Sequence, residues 1–131
     1  MHIKKFLQWI GLKERLDAKI STAPFISEGE IWWASLGENV GGEINGKSHL
    51  FTRPVLIFRK FSNNFYFVIP LTTQKRVGSW YVNYKKDETD ITACLHQARS
   101  IDYRRFYSKL GELAENDREA VKIGFKKLYQ T

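Results

Sequence analysis

The chain has 131 residues, 43% of them hydrophobic and 15% aromatic, and its 21 Lys+Arg against 14 Asp+Glu give a formal charge of +7. That apolar content is enough for one domain that buries roughly two-thirds of the surface its unfolded form exposes, which excludes disorder as the main state. No stretch approaches the ~20 uncharged apolar residues of a membrane span, and the first ten residues are too polar and too short for a signal-peptide core, so a soluble cytoplasmic protein with no membrane partner is expected.

Cys94 is the only cysteine, which excludes an intramolecular disulfide and a thiolate metal cage. His2, His49 and His96 lie far apart with no carboxylates clustered around them, so neither a metal nor another cofactor is expected. The charge is uneven. Residues 1–27 carry five basic and two acidic groups, residues 28–95 eight and seven, and residues 96–131 eight and five. An anionic partner would therefore meet the flanks first.

In chain order, Ile3, Phe6, Leu7, Ile10, Leu12, Leu16 and Ile20 recur at spacings of three and four, which predicts an amphipathic helix over residues 3–20 with Gly11 as a possible bend. Such a helix can lie on a membrane surface or a partner; the expectation is that it docks on its own domain or on a second copy. Ser21-Thr22-Ala23-Pro24 then serves as a linker. This divides the chain into an N-terminal helical extension (1–27) and a main domain (28–131).

From Gly29 the pattern changes to short runs rich in β-branched and aromatic residues at 30–36, 54–58, 65–69, 80–84 and 89–95. Turn-forming clusters separate them, so a small antiparallel barrel or curled sheet follows. Two connections are long, 37–52 and 73–79, and long loops in a compact domain are usually functional or mobile. Asn116-Asp117-Arg118-Glu119 reads as a capping box for a C-terminal helix with a Val121, Phe125, Leu128 stripe, and Lys126 and Lys127 complement its dipole.

Three polar groups sit at the boundaries of apolar strands. Gly41 and Gly42 allow positive φ and close approach to a ligand while presenting Glu43. Arg53 stands before Pro54 and is biased to an extended conformation that presents its guanidinium. Leu71-Thr72-Thr73-Gln74 supplies three polar side chains directly after an apolar strand. Taken singly, each also reads as something ordinary: a flexible loop, a surface arginine, a polar turn.

Their order is more specific. Gly29-Glu30-Ile31-Trp32-Trp33, Val40-Gly41-Gly42-Glu43, Arg53-Pro54-Val55-Leu56-Ile57, Ile69-Pro70-Leu71-Thr72-Thr73-Gln74 and Gln97-Ala98-Arg99-Ser100-Ile101-Asp102 together resemble the PemK/MazF family of toxin endoribonucleases, from about Gly29 to Leu128. The resemblance implies a mostly β fold, an SH3-like small barrel with a C-terminal helix, assembled as a homodimer. It implies metal-independent cleavage of single-stranded RNA and an antitoxin whose acidic tail covers the RNA site. Carried over by position, it makes Arg53 and Thr72 catalytic and places the family's loop glutamate at Glu43.

Two departures stand out. Residues 44–52, including Asn45, Lys47, Ser48 and His49, lengthen the stretch between Glu43 and Arg53, and His96 stands where some members carry an acidic residue. RNA cleavage without a metal needs a base for the 2′-OH, charge on the phosphate oxygens and help for the leaving 5′-oxygen. The expected assignment gives Arg53 the charge, Thr72 a phosphate oxygen with Gln74 supporting the turn, and Glu43 or His96 the proton. Lys47, Lys75, Arg76 and Arg99 would hold the RNA, and Trp80 or Tyr81 would stack bases. Asp102 is expected to pair with Arg99, and Arg104 and Arg105 to form a solvated basic surface. The competing class is a non-enzymatic toxin or nucleic-acid-binding module on the same barrel, such as a gyrase poison.

Overall fold

The computed structural model describes residues 4–130. Helix α1 (Phe6–Asp17) precedes strands β1 (Glu30–Ser35), β2 (Thr52–Lys60), β3 (Phe65–Thr72), β4 (Tyr81–Lys86), β5 (Thr89–Cys94), β6 (Arg99–Asp102) and β7 (Phe106–Glu112), and helix α2 (Glu115–Leu128) closes the order. The strands form one seven-stranded sheet in the order β4-β5-β3-β2-β1-β7, with β6 added beside β3. Every pairing is antiparallel. The class is the mostly β one that the strand pattern implies; among the described residues no ladder joins the outer strands β4 and β7, so the sheet stays open. No described helix is long and apolar enough to cross a membrane.

Strand β3 is the pivot. One of its edges pairs with β2, while the other is shared between β6, over Phe65 to Val68, and β5, at Leu71 and Thr72. Side chains alternate across a strand, and here both faces are buried. Val55 and Ile57 of β2 join Tyr66 and Val68 of β3 in a cluster completed by Trp32, Ala34, Ile101 and Phe106. Leu56, Phe58, Ile69 and Leu71 point the other way, onto Tyr84, Leu95 and Val121. Two apolar layers on one sheet explain why the central runs read as nearly continuous apolar sequence.

Strands β6 and β7 are absent from the sequence reading. β6 has only four residues, and β7 buries Phe106 and then exposes most of its length. Its pairing with β1 is also broken by two register shifts, so it shows little period-two signal. Helix α2 packs Val121, Phe125 and Leu128 against the second layer as expected. Its capping box does not form: the N-cap is Ala114, without a side-chain cap, and the helix has already begun at Glu115. Glu115 and Asp117 instead stabilise the first turn through the helix dipole.

The stripe of α1 is also different. Trp9, Leu12 and Leu16 are buried, whereas Phe6, Leu7, Ile10 and Ile20 are exposed; Ile3 lies outside the described residues. Trp9 is the reason, because its ring packs edge-on against Phe51 at 5.7 Å and lies over Gly37, where a Cβ would be 2.2 Å from it. Docking on its own domain is thus the observed outcome, through a line that includes the tryptophan.

Candidate functional site

Cross-strand register assembles a polar row. Val55 of β2 faces Pro70 of β3 at the end of their ladder, and Arg53 and Thr72 stand two residues beyond that pair on their strands and line one cleft. Thr72 faces Thr92 of β5, and Thr92 faces Asn83 of β4. Directly opposed residues of an antiparallel pair project from the same face with Cβ atoms about 5 Å apart. Two threonines and an asparagine therefore line up across three strands, with Arg53 at the end of the neighbouring ladder and Cys94 and Tyr81 opposed one step further on.

The row is tied together. The buried Thr92 hydroxyl donates to Asn83 Oδ1, and Asn83 Nδ2 donates to the Arg76 carbonyl at 2.8 Å, which fixes the 73–79 loop above the row. Thr72 Oγ1 accepts from the Gln74 backbone N–H at 3.2 Å, and Gln74 Oε1 accepts from Arg76 Nη2. Arg53 Nε donates to the Asn45 carbonyl at 2.8 Å. Burial lowers the Arg53 pKa, partly offset by Cys94. The Cys94 thiol is raised by its own burial, with Arg53 and Arg76 pulling against that shift. Arg53 and Thr72 also border a cleft of about 690 Å³ with Lys47 on its rim and Trp33, Leu71 and Ile91 among its apolar walls.

Glu43 and Arg99 form a second group. Glu43 Oε1 accepts from the Val40 backbone N–H at 2.8 Å and closes its own turn. Gln97 clasps that turn: its Oε1 accepts from Ile44 N–H at 3.2 Å and its Nε2 donates to the Gly42 carbonyl at 3.1 Å. Burial lowers the Arg99 pKa, and the field of Glu43 opposes the shift. Gly41 has φ +56, which demands glycine-like freedom, and a Cβ at Gly41 or Gly42 would meet nothing within 4 Å. Asp102 does not pair with Arg99. It accepts instead from the backbone and guanidinium of Arg104, at 2.9 and 2.8 Å, because β6 and β3 fix Arg99 opposite Val68 while the next turn brings Arg104 back over Asp102. Arg105 is not a solvated group either: it lies over Trp9 at 5.5 Å, and burial, then Arg99, lowers it to about 10.

His96 stands apart from the cleft. It sits in a 3₁₀ turn, Leu95–Gln97, with its ring 5.0 Å from Trp80 and 5.1 Å from Tyr81. Its Nδ1 is enclosed without a hydrogen-bond partner among the described residues. Lys75 and Arg76 are exposed on the 73–79 loop. The structure thus brings Arg53, Thr72 and Lys47 to one cleft, holds Gln74, Lys75 and Arg76 on the loop after Thr72, and sets Arg99 within the field of Glu43. The sequence pattern named Asn45 only as part of the lengthened loop and gave no role to Asn83 or Thr92. For the last two a signal existed: each is a polar residue inside an apolar strand run.

Comparison with known proteins adds to this geometry. A family model described as the PemK-like, MazF-like toxin of type II toxin-antitoxin systems matches residues 27–129. A search of curated proteins finds no match. Among solved structures, the fold is similar to MazF from Deinococcus radiodurans, with a TM-score of 0.67 at 18% identity, covering 82% of this chain and 100% of that one. It is also similar to an endoribonuclease in complex with its cognate antitoxin from a mycobacterial species, with a TM-score of 0.62 at 14% identity over 79% and 93% of the two chains. A third likeness is the Mycobacterium tuberculosis toxin MazF-mt6, with a TM-score of 0.59 at 17% identity over 76% and 95%.

Proposed function

The chain belongs to the PemK-like, MazF-like toxins of type II toxin-antitoxin systems, and from that premise we propose that it is a metal-independent endoribonuclease of the cytoplasm, acting on single-stranded RNA. The observation that carries this reading is a partly desolvated guanidinium, that of Arg53, at the border of the same cleft as Thr72.

In the proposed reaction the 2′-oxygen of one nucleotide bonds to the adjacent phosphorus as the bond from phosphorus to the 5′-oxygen breaks. Arg53 places its fixed charge on the non-bridging oxygens, where a guanidinium offers several donors and keeps its proton at neutral pH. Thr72 donates its hydroxyl to a phosphate oxygen. Glu43 takes the 2′-OH proton, and the departing 5′-oxygen, hydrogen-bonded to Arg53, is protonated from water. Products are a 2′,3′-cyclic phosphate and a 5′-OH end. Glu43 is preferred over His96 because it stands on an exposed turn whereas the imidazole Nδ1 is enclosed.

Lys47, Lys75, Arg76 and Arg99 hold the RNA backbone, and Trp80, 53% exposed and backed by the His96 ring, offers a face for a base. An antitoxin with an acidic segment fits the same cations, and a homodimer doubles the site.

Incubation of purified protein with a long single-stranded RNA in EDTA tests the reading. Wild type fragments the RNA; Arg53→Ala loses about 10²- to 10³-fold in kcat, the cost of one transition-state donor. Thr72→Ala loses about 10- to 10²-fold, the worth of one hydrogen bond to a charged group, and Glu43→Gln about 10²-fold or more, as for a general base. Full activity in Arg53→Ala, or cleavage that depends on added metal, overturns the proposal. Intact RNA together with gyrase trapped on DNA would establish the non-enzymatic alternative.

A further inference from the structure

Arg53 is held at Nε by one backbone carbonyl, that of Asn45, and the contacts that hold Asn45 lead back to α1, outside the residues matched by the family model. Lys4 Nζ, two residues ahead of the helix, donates to the Asn39 carbonyl at 2.6 Å and to Asn45 Oδ1 at 3.3 Å. Asn39 N–H donates to the same Oδ1 at 2.6 Å, and Asn39 Nδ2 spans the Leu36 and Ile44 carbonyls. The asparagine that receives Arg53 on its main chain is thus fixed by its side chain.

The other end of the loop is held from α1 as well. Phe51 has φ 52, a left-handed conformation that a bulky aromatic keeps only when its surroundings over-determine it. Those surroundings are Trp9, edge-to-face at 5.7 Å, with Leu12 and Leu16 in the same buried cluster. The Leu36 N–H donates to the Phe51 carbonyl, and Gly46 passes so close to that carbonyl that a Cβ there would lie 1.7 Å from its oxygen. The helix is pinned in turn: Arg104 Nη1 donates to the Asp17 carbonyl at 2.9 Å, and Arg105 stacks on Trp9 while donating to Ser35 O.

We infer that α1 is a clamp on the 37–52 loop that sets the position of the Arg53 guanidinium, with Trp9 and Lys4 as positioning residues. The inference rests on the reading of Arg53 as the catalytic cation. The 37–52 loop supplies the arginine's acceptor, and the helix supplies the rigidity that a long loop lacks by itself.

Amide hydrogen exchange and single-turnover cleavage, measured together on the full chain, test this. In Trp9→Ala the hydrogen-bonded amides of Asn39, Gly46 and Lys47 exchange about tenfold faster or more, while those of the β2 and β3 ladder keep their protection. The cleavage rate at saturating RNA falls about tenfold with KM within about twofold, and Trp9→Phe restores most of both. Lys4→Ala, which leaves the apolar cluster whole, gives the same changes in smaller size and carries the test if Trp9→Ala does not fold. Unchanged exchange at these amides overturns the clamp. Faster exchange with undiminished cleavage overturns its link to Arg53. Faster exchange in a protein whose wild type does not cleave RNA leaves the clamp standing and removes the ribonuclease reading.

Discussion

Arg53, Arg99 and Arg105 each have a pKa lowered by burial, so three guanidinium groups have given up part of their hydration within one small domain. Removing water from a charge is costly, and a fold retains such groups where each has a task or a partner. Arg99 has Glu43 and Arg105 has the Trp9 ring and the Ser35 carbonyl, whereas Arg53 makes one hydrogen bond at Nε and borders the cleft together with Thr72.

Tyr84 is a contrasting residue: its hydroxyl is enclosed with no partner among the described residues, and burial, then Asp117, pushes its pKa up to about 12. Its folded pKa exceeds the unfolded value near 10, so its contribution to stability is intact below about pH 10 and is lost as pH rises towards 12. Tyr84→Phe removes an unsatisfied polar atom and is predicted to leave stability unchanged or raise it by up to about 1 kcal/mol. Alkaline denaturation of the two proteins checks this, and a loss of more than about 1 kcal/mol at neutral pH contradicts it.

At the scale of elements, legibility followed burial. The runs that became β1 to β5 announced themselves because their strands are buried on one or both faces. β7 did not, since an edge strand with two register shifts and mostly exposed side chains has no alternation to read. The order of Glu43, Arg53 and Thr72 was visible as sequence blocks, but what joins them was not. Asn45 contributes a backbone carbonyl, and a backbone group leaves no signature in the residue type. The turn from Asp102 to Arg104 likewise depends on a local geometry that spacing alone left ambiguous.

Helix α1 shows the same limit of periodicity, because its sequence holds two apolar lines and only packing decides between them. Leu16, 8% exposed, and Leu7, 82% exposed, therefore separate by substitution. Leu16→Ala is predicted to cost about 2 kcal/mol or more, and Leu7→Ala less than about 0.5 kcal/mol. Urea denaturation measures both, and equal costs would mean that the buried line is not the one through Trp9.

At the scale of the whole molecule, the +7 charge lies mainly in the two flanks, while residues 28–95, which carry Glu43, Arg53 and Thr72, hold eight basic and seven acidic groups. General attraction for an anion and the chemistry at its phosphate are then separate properties of the fold. Under the proposed function the first belongs to a periphery suited to RNA and to an acidic antitoxin segment alike, the second to a few placed groups around Arg53 and Thr72. Two acidic residues within that frame also serve stability. Burial pushes the Glu30 carboxyl up, but hydrogen bonds from the Ser27 N–H, Trp32 and Lys109 outweigh it and leave its pKa below the ordinary value; Asp102 is lowered chiefly by Arg104. Both contributions are present above the unfolded pKa values near 4 and fade as pH falls below them.

The central claim is a reaction in which the RNA supplies its own nucleophile, and the end groups of the products report on it most directly. An RNA digested by the wild-type protein in EDTA, and the same RNA with one 2′-deoxy nucleotide at the cleavage position, are compared by mass. Fragments ending in a 2′,3′-cyclic phosphate and a 5′-OH are expected, with no cut at the deoxy position. A 5′-phosphate product, or equal cleavage of the deoxy substrate, would contradict it.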